Sequence, residues 1–187
     1  MDVKQIFLEA FMVVLGVVIA FGANEYRENS NRQKQVQVAL SGILEEIQTN
    51  QKALQESLDY HRMLIDTLQV LSRKGLERAD IRIFNRGFVH PATLQSTAWE
   101  AAKATNVVSD IPYQTVREIS AIYQQQEVYL QQSLSTGSLI YEAMFTKGTE
   151  GIISNYRNLS SIHRAFYYQE QRLADRYRDS LEILTQK

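Results

Sequence analysis

The sequence predicts an all-α protein, with one N-terminal transmembrane helix followed by a long-helix bundle and a short β-hairpin as the one candidate departure from helix. Three observations predict it. From Ala10 to Ala23 every residue is apolar or small. Beyond Gln35, long segments repeat apolar residues at alternating spacings of three and four, the period of one helix face. Only two prolines, Pro91 and Pro112, and eight glycines occur in 187 residues, so little interrupts long helices. The chain divides accordingly into an anchor (1–23), a juxtamembrane segment (24–35) and a bundle domain (36–187).

Ile6, Phe7 and Leu8 extend the apolar run backwards past Glu9. The resulting stretch spans roughly 27 Å as a helix, against a hydrocarbon core of about 30 Å. A buried soluble helix is the poorer reading, because Phe11 to Phe21 is apolar around its whole circumference. A cleaved signal sequence is a second alternative, with Ala20 and Gly22 as the small residues before the cleavage point. Against it, the basic n-region amounts to Lys4 beside Asp2, and Glu9 interrupts the apolar stretch. One face of the anchor reads Glu9, Val13, Gly16, Ala20, Asn24, Arg27. Gly16 and Ala20 form a small-xxx-small pair that lets two helix backbones approach in lipid, and Glu9 and Asn24 place polar groups at either end. The bland alternative is that glycine and alanine are common in membrane helices and that Glu9 snorkels to the head groups.

The segment LEAFMVVLGVVIAFGANEYRE, Leu8 to Glu28, resembles the anchor of a widespread uncharacterised family of bacterial single-pass membrane proteins, which reads LE-F, hydrophobic, LG, hydrophobic, A, NEW-E. Leu8, Glu9, Leu15, Gly16, Ala20, Asn24, Glu25 and Glu28 match, and Tyr26 stands where tryptophan is usual. Thr97-Ala98-Trp99-Glu100-Ala101-Ala102 is a second echo. The resemblance covers about a third of the chain, implies a bacterial inner-membrane protein, and carries over no catalytic residue.

Past the anchor, Asn24 to Gln35 is charged and amidic, and helix is expected to continue through it, with Asn29-Ser30-Asn31 as a weak point. From Leu40 a coiled-coil-like seam begins, and its main positions are Leu44, Ile47, Leu54, Leu58, His61, Ile65 and Leu68. Gly42 inside it costs about 1 kcal/mol of helix propensity, and Gly75 is a sensible C-terminal stop. Ile81 to Phe84 and Phe88 to His90, flanking Asn85-Arg86-Gly87, form the candidate hairpin. Thr97 and Glu100 have capping-box spacing and open a short helix through Trp99. Ser109-Asp110 before Pro112 opens a helix to about Ser135 with the stripe Val116, Ile119, Tyr123, Leu130, Leu134. A segment from Ser138 to Lys147 breaks at Gly148. The last helix, from about Gly151, carries Ile152, Tyr156, Leu159, His163, Phe166, Glu170, Leu173, Tyr177 and Leu184 at three-four spacing. These stripes want a common core, and the glutamine-rich run Gln124 to Gln132 reads as a solvated face.

Several function classes find no support. Twenty basic residues balance twenty-one acidic ones without long blocks, so there is no footprint for nucleic acid. The absence of cysteine removes disulfides and thiolate chemistry. Three histidines, His61, His90 and His163, have no partner at metal-binding spacing, and no Walker loop, G-x-G-x-x-G, G-x-S-x-G or H-E-x-x-H occurs. Neither an enzyme nor a cofactor protein is expected. His61 and His163 fall on the seams of long helices and are expected as neutral, hydrogen-bonded core histidines, with a pH-sensitive charge as the sharper alternative. Trp99 is expected as a core anchor. The expected function is a single-pass inner-membrane structural or interaction protein, a homo-oligomer or the accessory subunit of an envelope complex, its domain facing the periplasm. The alternative is a membrane-anchored sensor or ligand-binding bundle.

Overall fold

The structure, a computed structural model, describes residues 3–185. Helix α1 runs unbroken over Val3–Arg73, so anchor, juxtamembrane segment and first bundle helix are one rod roughly 105 Å long. The weak point at Asn29 to Asn31 does not interrupt it, since the flanking turns are rich in helix formers and Arg32 pairs with Glu28 one turn earlier. α1 ends at Gly75, whose φ of 67° is the left-handed conformation that glycine adopts without steric cost. The Gly75 N–H donates to Ser72 O and the Leu76 N–H to Leu71 O, which satisfies the last carbonyls.

A connecting segment follows, with a 3-10 turn at Ile81–Phe84, then α2 (Thr97–Ala104), a 3-10 turn at Val107–Asp110, α3 (Tyr113–Ser154) and α4 (Tyr156–Thr185). No strand occurs among the described residues, so the expected hairpin is corrected. Asp80 accepts the Arg82 N–H at 2.9 Å and the Gly87 N–H closes on Phe84 O at 2.8 Å, which curls the first limb into a turn. Phe84 turns inward and its ring lies 4.9 Å from that of Phe88.

Two further boundaries differ. α3 passes through Ser138 without a break, is interrupted only at Gly148 (φ 64°, ψ 176°), and α4 starts after Asn155. Helix α3 opens at Tyr113 with Pro112 as its cap, while Ser109 and Asp110 belong to the 3-10 turn.

α4 lies along α1, and α3 completes the bundle. The core falls into two clusters. One, at the end nearer the anchor, contains Ile43, Ile47 and Leu54 of α1, Trp99 of α2, Ile119, Ile122 and Tyr129 of α3, and Phe166, Leu173 and Tyr177 of α4. The other, at the far end, contains Tyr60, Leu64 and Leu68 with Phe84, Ile140, Ile152, Ile153, Tyr156 and Leu159. The α1 seam is thus buried within its own chain, chiefly against α4. By contrast the stretch from Phe7 to Ala23 finds no cover in the described structure, and neither Gly16 nor Gly22 has a neighbour within 4 Å of where a Cβ would stand. It is long and apolar enough to cross a membrane.

Candidate functional site

Buried polar side chains, not a cleft, are what distinguish this bundle. Glu46, Asn50, Ser57 and His61 share one face of α1 and are all buried, at spacings of four, seven and four. The first three have one task in common: they satisfy backbone groups of the connecting segment and of the first turn of α2, which lie against α1 with no strand beside them. Asn50 donates to Gln95 O at 2.7 Å and accepts the Gln95 N–H at 2.8 Å, imitating a strand pair with one amide. Ser57 donates to His90 O, and neighbouring Tyr60 donates to Gly87 O at 2.6 Å. Glu46 accepts the Ala98 N–H at 2.8 Å in the first turn of α2 and the Tyr123 hydroxyl at 2.5 Å. Residue 96 makes no side-chain cap there, so the expected Thr97–Glu100 capping box is replaced by a carboxylate from another helix, favourably placed at the positive end of the α2 dipole.

Gln126, expected on a solvated face, is buried. It accepts from Asn50 at 3.2 Å and from the Tyr177 hydroxyl at 2.7 Å, and donates to Gln95 O at 2.9 Å. Trp99 is buried and lies parallel to Tyr123, ring centroids 5.8 Å apart.

Where the two apolar clusters meet, α1, α3 and α4 and the connecting segment converge on one carboxylate. His61 Nδ1 donates to Glu170 Oε2 at 2.8 Å, and the Tyr129 hydroxyl donates to Glu170 Oε1 at 2.8 Å while accepting the Ala92 N–H at 2.8 Å. His61, His163 and Glu170 are wholly buried. A carboxylate only accepts, so opposite a deprotonated Glu170 the bond requires the His61 proton on Nδ1. Burial pushes the Tyr129 hydroxyl well above the usual tyrosine range, with Glu170 adding to it, so it stays a donor.

His163 faces this group with its ring centroid 5.4 Å from that of His61. Neither of its ring nitrogens has a partner, nor does Nε2 of His61. The expectation of a hydrogen-bonded core histidine therefore fits His61 and not His163. Burial, and secondarily the charge of His61, pulls His163 down to about 3, which keeps it neutral at physiological pH.

No family model, curated protein or solved structure matches the chain.

Of the seam residues expected on α1, Ile47, Leu54, Leu58, His61 and Leu68 are buried, whereas Leu44 and Ile65 are half-buried flanks of Ile43 and Leu64. The anchor face, Glu9, Gly16, Ala20 and Asn24, is fully exposed on α1 and touches no other element. Sequence reasoning brought His61, His163 and Glu170 to inward stripes but missed Tyr129, which closes the belt. The signal for it was only the repeat from Ile122 through Gln126 to Tyr129 and Ser133 at helical spacing, half of it polar. Among the described residues no three histidine or acidic side chains are arranged to hold a metal ion. The belt is closed to solvent.

Proposed function

We propose that the chain is a single-pass inner-membrane protein of the structural or interaction class, holding a helical bundle on a rigid stalk. In this reading it associates with itself or with a membrane-protein partner, as the accessory subunit of an envelope complex. The observation that carries the reading is the continuity of α1, whose uncovered apolar stretch leads without a joint into the helix at the centre of the core. Nothing in a soluble domain rewards the fifteen exposed apolar or small positions described between Phe7 and Ala23, whereas hydrocarbon does. The resemblance of Leu8 to Glu28 to bacterial anchors supports the inner membrane.

Orientation sets two physical arguments against each other. Arg27, Arg32 and Lys34 outnumber Lys4 and favour a cytoplasmic domain by charge. The anchors that Leu8 to Glu28 resembles have longer basic N-termini, which favours the periplasm, and this is the orientation we adopt. Membranes washed with carbonate at high pH should retain the full chain, and its appearance in the soluble fraction would overturn the anchor. C-terminal reporter fusions test the side: a signal from a cytoplasm-only reporter reverses the orientation.

One observation favours a second reading, that of a membrane-anchored sensor. The belt around Glu170 ties α1, α3 and, through Tyr129, the connecting segment to α4 by ionisable side chains, and His163 beside it has no hydrogen-bond partner.

A further inference from the structure

The core of this bundle is divided, and the division coincides with its ionisable groups. The near cluster ends on α1 at Leu54 and the far cluster begins at Tyr60; on α4 the far cluster ends at Leu159 and the near one begins at Phe166. His61 and His163 occupy the gap on the two helices. At this level the imidazole rings join the two clusters, with His61 stacked on Phe166 at 5.2 Å and His163 facing Phe84 at 6.3 Å, beside Val89 and Ile162, which pack against both.

We infer that the His61–His163–Glu170 belt is a proton-operated joint, which holds the far half of the bundle against the near half while His163 is neutral and releases it when His163 takes up a proton. The inference deepens the sensing reading, on which its physiological meaning rests. The joint itself is a property of the bundle.

The charge balance at the belt explains the direction. From α1 comes His61, with Tyr60 beside it, and from α4 comes Glu170. α3 supplies Tyr129, which is held protonated. The connecting segment brings His90, itself pulled down by burial and by Arg86, and Glu56 acts on His90 from α1. The one carboxylate at the centre is already committed to His61 and Tyr129. A proton on His163 therefore adds a charge with no acceptor on either ring nitrogen, in a site where burial forbids water from supplying one. Two outcomes relieve it, deprotonation or separation of the helices, and acid removes the first. The near half is secured independently by Glu46, Asn50, Gln126 and Tyr177. Among the described residues the far half is tied across its elements by the Tyr156 hydroxyl on Leu76 O and the Ala79 N–H on Ile153 O, without a buried pair of polar side chains, so it is the half that parts.

The open state protonates like an ordinary histidine, near 6.5, and the closed state only near 3. Linkage then raises the opening equilibrium by about 30-fold between pH 7.5 and pH 5.0.

Because the chain contains no cysteine, single thiols report on each half. Ala79→Cys probes the far cluster and Ser180→Cys the near one, at positions that are both buried. In the full chain in detergent, dithiodipyridine labelling is measured at pH 7.5 and 5.0, each rate divided by that of the same variant denatured at the same pH. For the far thiol, introduced by Ala79→Cys, the expected result is a loss of protection of about 30-fold. The near thiol, introduced by Ser180→Cys, should change little. The response of the far thiol should become flat when His163→Phe or His163→Gln is added, and either of these background variants suffices should the other fail to fold. Equal loss at both thiols would mean global acid unfolding, and no loss at either would mean no joint. A response that survives replacement of His163 would assign it to the carboxylates. Each of these three results overturns the inference. None of them depends on membrane anchoring, which the carbonate wash tests separately.

Discussion

Replacing Glu170 by leucine attacks the one group on which three helices and the connecting segment depend. Leucine fills nearly the same volume, so the cavity contribution is small, and the loss comes from the donors left behind. Two buried donors aim at Glu170, the Nδ1–H of His61 and the hydroxyl of Tyr129, both at 2.8 Å. An orphaned buried donor costs about 2 kcal/mol, so Glu170→Leu should lose about 4 kcal/mol, a large share of a small domain's stability. Adding His61→Leu removes one of the orphans and should recover about half of that loss. The double variant is then more stable than the single one, the opposite of additivity for two core substitutions. Urea unfolding of the full chain in mild detergent at pH 7.5, followed by circular dichroism at 222 nm, reads all three. A loss below about 1 kcal/mol for Glu170→Leu, or a double variant less stable than the single, would refute the account of the belt as a carboxylate-centred tie.

Other perturbations probe the rest of the chain. Glu46→Ala orphans the Ala98 N–H and the Tyr123 hydroxyl, so a loss of at least about 2 kcal/mol is expected, with hydrogen exchange rising in Thr97–Ala104 before elsewhere. Gly42→Ala should stabilise by up to about 1 kcal/mol, since its Cβ would meet only the Ala98 Cβ, at 3.8 Å, and the unfolding midpoint should rise. Gly16→Ile with Ala20→Ile should weaken self-association in detergent without moving the unfolding midpoint, as Gly16 touches nothing in its own chain. A chain that cross-links only as a monomer at native expression would remove the homo-oligomer and leave a different membrane partner for that face.

The helical architecture was legible where one physical demand acts alone. Ile152 at the end of α3 and Tyr156, Leu159, His163, Phe166, Glu170, Leu173 and Tyr177 along α4 all turn inward as their spacing predicts. That helix has a single buried face, and tertiary packing follows its period. α1 is legible for the same reason over Phe11 to Phe21, where the apolar circumference is left uncovered by the rest of the described chain. Over the bundle its buried positions run Ile43, Ile47, Asn50, Leu54, Ser57, His61, Leu64 and Leu68, a regular heptad in which three members are polar. Reading only apolar residues shifts that seam by one position at Leu44 and Ile65. On α3 the same habit chose Leu134, which is 73% exposed, over Gln126 and Ser133, which are buried.

What the sequence hides is the pairing of polar groups over long separations. Asn50 meets Gln126 across 76 residues and Glu46 meets Ala98 across 52, and no local pattern distinguishes such residues from solvated ones. The local capping rule at Thr97 lost to Glu46 because a carboxylate already fixed on a packed helix forgoes less side-chain freedom than one at the helix's own first turn. The same consideration explains why the connecting segment needs no second strand: helix side chains fixed by packing take its carbonyls and amides one at a time. Glu46, Asn50, Ser57, Gln126 and Ser133 are thereby accounted for as backbone partners, and His61 and Glu170 as partners of each other. His163 is the exception, for it satisfies no backbone group and no side chain, and an apolar ring of similar size in its place would leave no nitrogen unpaired. A residue that costs stability without repaying it in structure is where a functional demand is the remaining physical explanation, and the one property that separates its ring from that of phenylalanine in a dry site is the capacity to take a proton.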